Sequence, residues 1–79
     1  MYLAEAVARR TNELLIKNNK SQYRLIKETC LDKSTIQTLF KNKTKDIKLS
    51  TVFLIAGAFN MTLDEFLNVP YFSKENIEI

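Results

Sequence analysis

Apolar positions recur at helical spacing along most of the chain, and polar clusters interrupt them at short intervals. Leu3, Val7, Thr11 and Leu14 fall on one face of a first helix, over about 3–17, and Asn18-Asn19-Lys20 breaks it. Such spacing is the signature of an amphipathic helix. A second helix begins at Ser21, whose hydroxyl suits an N-cap. It turns Leu25 and Ile26 inward and stops near Thr29. A third follows Leu31, with Asp32 as its expected cap and Ile36, Leu39 and Phe40 as its apolar side. Asn42-Lys43-Thr44-Lys45-Asp46 is a polar, basic loop. The fourth helix is predicted over about 48–59, with Leu49, Val52, Phe53, Ala56 and Phe59 as the core stripe. Asn60 is expected to end it, because Asn tolerates the left-handed conformation. Thr62-Leu63-Asp64-Glu65 reads as a capping box opening a short fifth helix, with Leu63, Phe66 and Leu67 apolar. Pro70 closes that helix, and a tail follows. The pattern predicts an all-α, compact five-helix domain over 1–69 and a C-terminal tail over 70–79.

Composition agrees with helices: 46% of residues are hydrophobic, with one Gly and one Pro among 79. Gly and Pro are the residues a turn-rich β fold needs most. The longest uncharged run, Leu49 to Leu63, is too short and too polar for a membrane span. The N-terminus lacks the apolar stretch of a signal peptide. With one cysteine no internal disulfide forms, so a reducing cytoplasm is expected. Cys30 itself reads as a small buried filler rather than a redox sensor. With no His and no Cys pair, the residues of a zinc site or a histidine base are missing. Glu5, Glu13, Asp64 and Glu65 read as surface or capping acids, so no enzymatic role and no cofactor or metal is expected.

Charge adds direction. Residues 1–50 hold 11 Lys/Arg and 5 Asp/Glu (+6), and residues 51–79 hold 1 Lys and 4 Asp/Glu (−3), which sum to the net +3. A basic front half suits a polyanion on one face. The helices at 21–29 and 32–41 are separated by two or three residues, and so short a break forces the steep angle of a helix-turn-helix. The second of them fits a DNA major groove. With Ile36, Leu39 and Phe40 as anchors, Lys33, Ser34, Gln37, Thr38 and Lys41 project elsewhere. An ordinary amphipathic helix with a solvated face would show the same division.

Residues from about 11 to 67 resemble the lambda-repressor-like helix-turn-helix family (Xre or Cro type). The resemblance rests on Ser21-Gln22, Leu25, Asp32-Lys33-Ser34-Thr35-Ile36, Lys43-Thr44, Leu49 to Phe59, and Met61-Thr62-Leu63-Asp64-Glu65-Phe66-Leu67. It implies sequence-specific binding of double-stranded DNA by a bacterial or phage transcriptional regulator acting as a homodimer. By resemblance, Lys33, Ser34, Gln37 and Thr38 face bases, and Gln22, Lys41, Lys43 and Lys45 face phosphates. Dimers of the family commonly meet at the C-terminal end of the domain, which marks Phe66, Leu67, Tyr71 and Phe72 as dimer contacts. Three positions depart from the family: Cys30 replaces the usual Gly of the turn, Ile26 the usual Ala, and Leu15 with Phe40 an Arg–Glu pair. A buried Phe40 touching Leu15 is expected in place of that ion pair. The alternative function is a protein-interaction module that has kept the fold and lost operator binding. No second domain for a small-molecule effector is expected, and no membrane partner.

Overall fold

The computed structural model describes all 79 residues. The chain forms α1 (Leu3–Lys17), α2 (Gln22–Thr29), α3 (Lys33–Phe40), α4 (Leu49–Ala58) and α5 (Leu63–Leu67). No helix is long and apolar enough to cross a membrane.

With a single glycine available, asparagine does the work of ending helices. Asn19, Asn42 and Asn60 lie at φ values of 54°, 55° and 57°. Each follows a helix whose last carbonyls are closed in the same way. Asn19 N donates to Ile16 O while Lys20 N donates to Leu15 O. Asn42 N and Lys43 N repeat this on Leu39 O and Thr38 O, as do Asn60 N and Met61 N on Gly57 O and Ala56 O. This is the Schellman arrangement, in which a left-handed residue turns the chain back over orphan carbonyls. Asn adopts that conformation more readily than other Cβ-bearing residues.

The helix starts are less uniform. The Ser21 hydroxyl accepts from Arg24 N at 3.1 Å, as an N-cap should. Thr62 and Glu65 form the expected capping box: Glu65 N donates to the Thr62 hydroxyl, and Thr62 N donates to the Glu65 carboxylate at 2.9 Å. A hydrogen bond from the same hydroxyl holds the Asp64 carboxyl below the usual carboxylate range. Asp32 departs from expectation. It occupies the N-cap position of α3, but its side chain caps nothing. Its carbonyl alone accepts from Thr35 N and Ile36 N.

The core gathers Val7, Leu14, Leu15, Leu25, Ile36, Leu39, Val52, Ile55 and Phe66 around three small alanines of α1 and α4. Thr11 is enclosed with them because its hydroxyl donates to Val7 O at 2.7 Å. On α4 the expected stripe is partly corrected. Val52 and Ala56 are buried, but with Thr51 and Ile55, whereas Leu49 and Phe53 face outward at 65% and 61% exposure. The helix is apolar on nearly every side, so periodicity does not single out the inner face. Packing against α2 and α5 decides it.

The end of the chain also differs from a free tail. Glu78 N donates to Met1 O, and the N-terminal ammonium donates to Asn76 O, both at 2.8 Å. The Tyr71 hydroxyl donates to Glu13, and Arg9 lies 4.3 Å from the Tyr71 ring centre. Residues 71–78 therefore run back along α1. Phe66, expected at a dimer contact, is 0% exposed: it is the largest fully buried side chain of the monomer core. Arg10 covers it, donating to Phe66 O at 2.7 Å and to Glu65 O at 3.2 Å. Phe72 packs on that core, with its ring 6.4 Å from Phe66. Leu67, Tyr71 and Phe72 are all partly covered within one chain.

Phe40, expected to be buried, is only partly so, although it packs against the core that contains Leu15. Phe40 is half-buried and lines a surface depression with Glu5, Ala8 and Arg9. Leu15 stands about two turns further along α1, where it is buried near Ser21 and Gln22.

Candidate nucleic-acid interface

Three residues, Cys30, Leu31 and Asp32, join α2 to α3. Thr29 ties this turn down. Its hydroxyl donates to Leu25 O at 2.8 Å and accepts from Leu31 N at 3.3 Å, and the residue is buried. In the sequence Thr29 stands out only as a helix end, since a threonine there carries no distinctive signal. Cys30 takes the left-handed conformation at φ 58° that glycine would adopt without strain. It is exposed rather than the buried filler expected, because the turn points its side chain away from the core. Ile26 is half-buried against the core beside it.

From this turn α3 leaves with Ile36 and Leu39 buried. Its opposite side presents Lys33 and Ser34, both exposed, and Gln37 and Thr38, both partly exposed. All four are hydrogen-bonding side chains on one short helix. Lys41, Lys43 and Lys45 follow, all exposed. The loop carrying them is anchored: Lys43 N donates to Thr38 O, Ala4 N donates to Lys45 O, and the Thr44 hydroxyl donates to Asp46 O. The Lys45 ammonium lies 5.1 Å from the centre of the Tyr2 ring.

Three of the twelve Lys and Arg residues are held in ion pairs, and all three lie on α1 and α2 or the turn between them. Arg9 pairs with Glu13, and Lys20 and Arg24 pair with Glu28. Lys33, Lys41, Lys43, Lys45 and Lys48 form no ion pair. Arg10, Lys17, Lys27 and Lys74 are unpaired as well, but five of the nine unpaired cations fall within residues 33–48, on α3 and the segment after it, where they attract a polyanion.

Between α3 and the start of α4 runs a cleft of about 500 Å³. Ser34, Thr35 and Thr38 line one wall, and Thr44, Ser50 and Thr51 line the other. Lys48 precedes α4 without a side-chain cap; its carbonyl takes Thr51 N and Val52 N, and Leu49 N and Ser50 N, beside the cleft, have no partner within the chain. Hydroxyls and free helix N–H groups are the usual partners of phosphate oxygens. Of this set, the sequence pattern marks only Ser34 and Thr38. The density of Ser and Thr at 34–38 and 44–51 is the signal that would have added the rest. Gln22 stands apart from the cleft. It is exposed at the first position of α2, above a separate depression shared with Asn12, Asn19 and Ser21.

Two eight-residue helices joined by a three-residue turn, the outer one polar on its open side and followed by unpaired lysines, are the arrangement of a helix-turn-helix DNA-binding domain. Residues 10–70 match the Cro/C1-type helix-turn-helix DNA-binding domain, and the chain belongs to that family. The fold is similar to that in the crystal structure of the prophage Lp1 protein 11, with a TM-score of 0.83 and 21% sequence identity. The match covers 94% of this chain and 99% of that one. No curated protein matches the chain significantly.

Proposed function

We propose that the chain is a transcriptional regulator that recognises a specific double-stranded DNA sequence as a two-fold dimer. The observation that carries this reading is the group of unpaired lysines around α3, set beside a polar face that no other element covers. In this reading α3 enters the major groove. Lys33 and Gln37 have the reach and the donors to bond base edges, Lys to guanine and Gln bidentately to adenine. Ser34 and Thr38 add shorter contacts from the same face. Lys41, Lys43 and Lys45 neutralise phosphates on one side of α3, and Gln22 braces a phosphate at the start of α2. One α3 of eight residues touches few base pairs, so useful specificity calls for a second half-site and a second copy. Such a protein works where its DNA is, in the cytoplasm of a bacterial cell.

The test is a salt titration of binding to a duplex selected from a random pool and to its scrambled counterpart. Affinity for both should fall steeply as salt rises, with log K linear in log salt. The selected duplex should remain tighter by about 10³-fold or more. Binding that is insensitive to salt, or equal on the two duplexes, would refute the reading and favour a protein-interaction module.

A further inference from the structure

The first turn of α1 and the lysine-rich segment after α3 meet at Lys45. Ala4 N is a first-turn donor with no partner inside α1, and it donates to Lys45 O at 3.0 Å. The Lys45 ammonium lies 5.1 Å from the centre of the Tyr2 ring, close enough for the ring face to attract it. One lysine is therefore held by both its backbone and its side chain from the start of another helix. The ammonium groups of Lys33, Lys41, Lys43 and Lys48 have no such hold: none pairs with a carboxylate or stands over a ring.

Tyr2 is fixed in its turn. Its N–H donates to the Glu5 carboxylate at 3.1 Å, and its carbonyl accepts from Ala6 N at 3.1 Å. On its other side it pairs with Glu78 in a parallel β-bridge, where Glu78 N donates to Met1 O at 2.8 Å. Phe72 already packs on the core, and Glu78 is exposed, so the bridge adds little burial. What it fixes is the residue that holds Lys45. The choice of an aromatic partner matters. A carboxylate would hold the ammonium and neutralise it; a ring face holds it and leaves its charge available to an anion. A side chain ordered before it meets a phosphate loses less freedom on binding.

We propose that Tyr2 is a positioning residue for Lys45, holding its ammonium ready for a DNA phosphate, and that the pairing with Glu78 makes the C-terminal segment part of this brace. The proposal rests on the DNA-binding reading for its purpose. It gives the segment a role at the DNA surface exercised through Lys45.

The test is a double-mutant cycle on the full chain, with binding measured across salt to the selected duplex and its scrambled counterpart. Tyr2→Leu should weaken binding to both about two- to fivefold, the equivalent of an exposed cation–π contact. Tyr2→Phe, which keeps the ring face, should bind like the wild type. Lys45→Ala should lose about one unit of salt slope. Added to Lys45→Ala, Tyr2→Leu should cost nothing more, because the residues act as a unit. Loosening of the whole domain would weaken binding in both backgrounds. Glu78→Pro deletes the N–H of the bridge, and Glu78→Ala is its charge-matched control; the first should behave like Tyr2→Leu relative to the second. It also serves as the independent variant if Tyr2→Leu does not fold. Proton NMR without DNA reads the brace itself. The Lys45 ε-methylene signals should lie upfield of those of Lys41 and Lys43 in the wild type and Tyr2→Phe, and return toward them in Tyr2→Leu and Glu78→Pro. Signals that do not move, or a full extra loss from Tyr2→Leu beside Lys45→Ala, would overturn the proposal. Glu78→Pro indistinguishable from Glu78→Ala would remove the C-terminal segment from the brace. Shifted signals with salt-insensitive binding by every form would sink the DNA reading and leave the brace standing.

Discussion

Replacing Cys30 with glycine should stabilise the protein. Cys30 sits at φ 58° in the turn between α2 and α3, where a Cβ crowds the following carbonyl. That crowding costs roughly 1–2 kcal/mol. Its side chain offers little in return: it is exposed, and the sulfur's one polar neighbour is Lys27 O at 3.9 Å. Glycine removes the strain but adds freedom to the unfolded chain, an offset of about 0.4–1 kcal/mol. The net gain is ~0.5–1 kcal/mol. For a domain of this size, each kcal/mol moves Tm by about 4–8 °C, so the rise should be roughly 2–8 °C. Differential scanning calorimetry under reducing conditions measures it. Asn19→Gly, at φ 54°, is the control, and should gain less because asparagine already tolerates this conformation. A Cys30→Gly protein that melts at or below the wild-type temperature would show that the turn is not strained by its Cβ. DNA affinity should stay unchanged, since the backbone path into α3 is kept.

Truncating Phe66 to Ala removes the largest enclosed side chain and should cost ~3–5 kcal/mol. Phe40→Ala, at a half-buried site, should cost clearly less; chemical denaturation that ranks the two equally would contradict the packing described. Burial first, and then the hydrogen bond and charge of Glu13, push the Tyr71 phenol up to about 12 from 10.0, with Arg10 and Arg9 acting in the opposite sense. The folded state thus favours the protonated phenol. Its contribution is complete below pH 10 and is lost as pH rises toward 12. Tyr71→Phe, which keeps the ring, should abolish that part of the alkaline loss in stability and remove the late component of the phenolate absorbance titration. An unchanged titration in the variant would place the shifted group elsewhere.

The helices and most of their ends were legible because the signals are local. Ser21, Thr62 with Glu65, and the asparagines after α1, α3 and α4 act on backbone groups within a few residues. What needed the fold was the direction of apolar side chains. In α4, apolar residues surround the axis, and only contact with α2 and α5 turns Thr51 inward and Phe53 outward. The same limit applies to the final residues. Phe66, Tyr71 and Phe72 read as surplus apolar surface, yet α1 supplies Glu13, Arg9 and Arg10 to receive them across more than fifty residues of sequence. Of the site, α3 was readable from its division into anchors and polar positions. The cleft behind Thr44, Ser50 and Thr51 was not, because it exists only where the loop returns against α3.

The claim that α3 reads sequence while the following loop supplies charge is tested most directly by motif selection. Lys33→Ala, Gln37→Ala and Lys43→Ala proteins would each select duplexes from one random pool, with affinities measured across salt. The account predicts that Lys33→Ala and Gln37→Ala change the preferred bases, each losing ~1–3 kcal/mol of discrimination at its position. Lys43→Ala should select the wild-type motif, bind all duplexes more weakly, and flatten the salt slope by about one unit. Selection of an unchanged motif by both Lys33→Ala and Gln37→Ala would contradict the assignment of α3 as the reading helix.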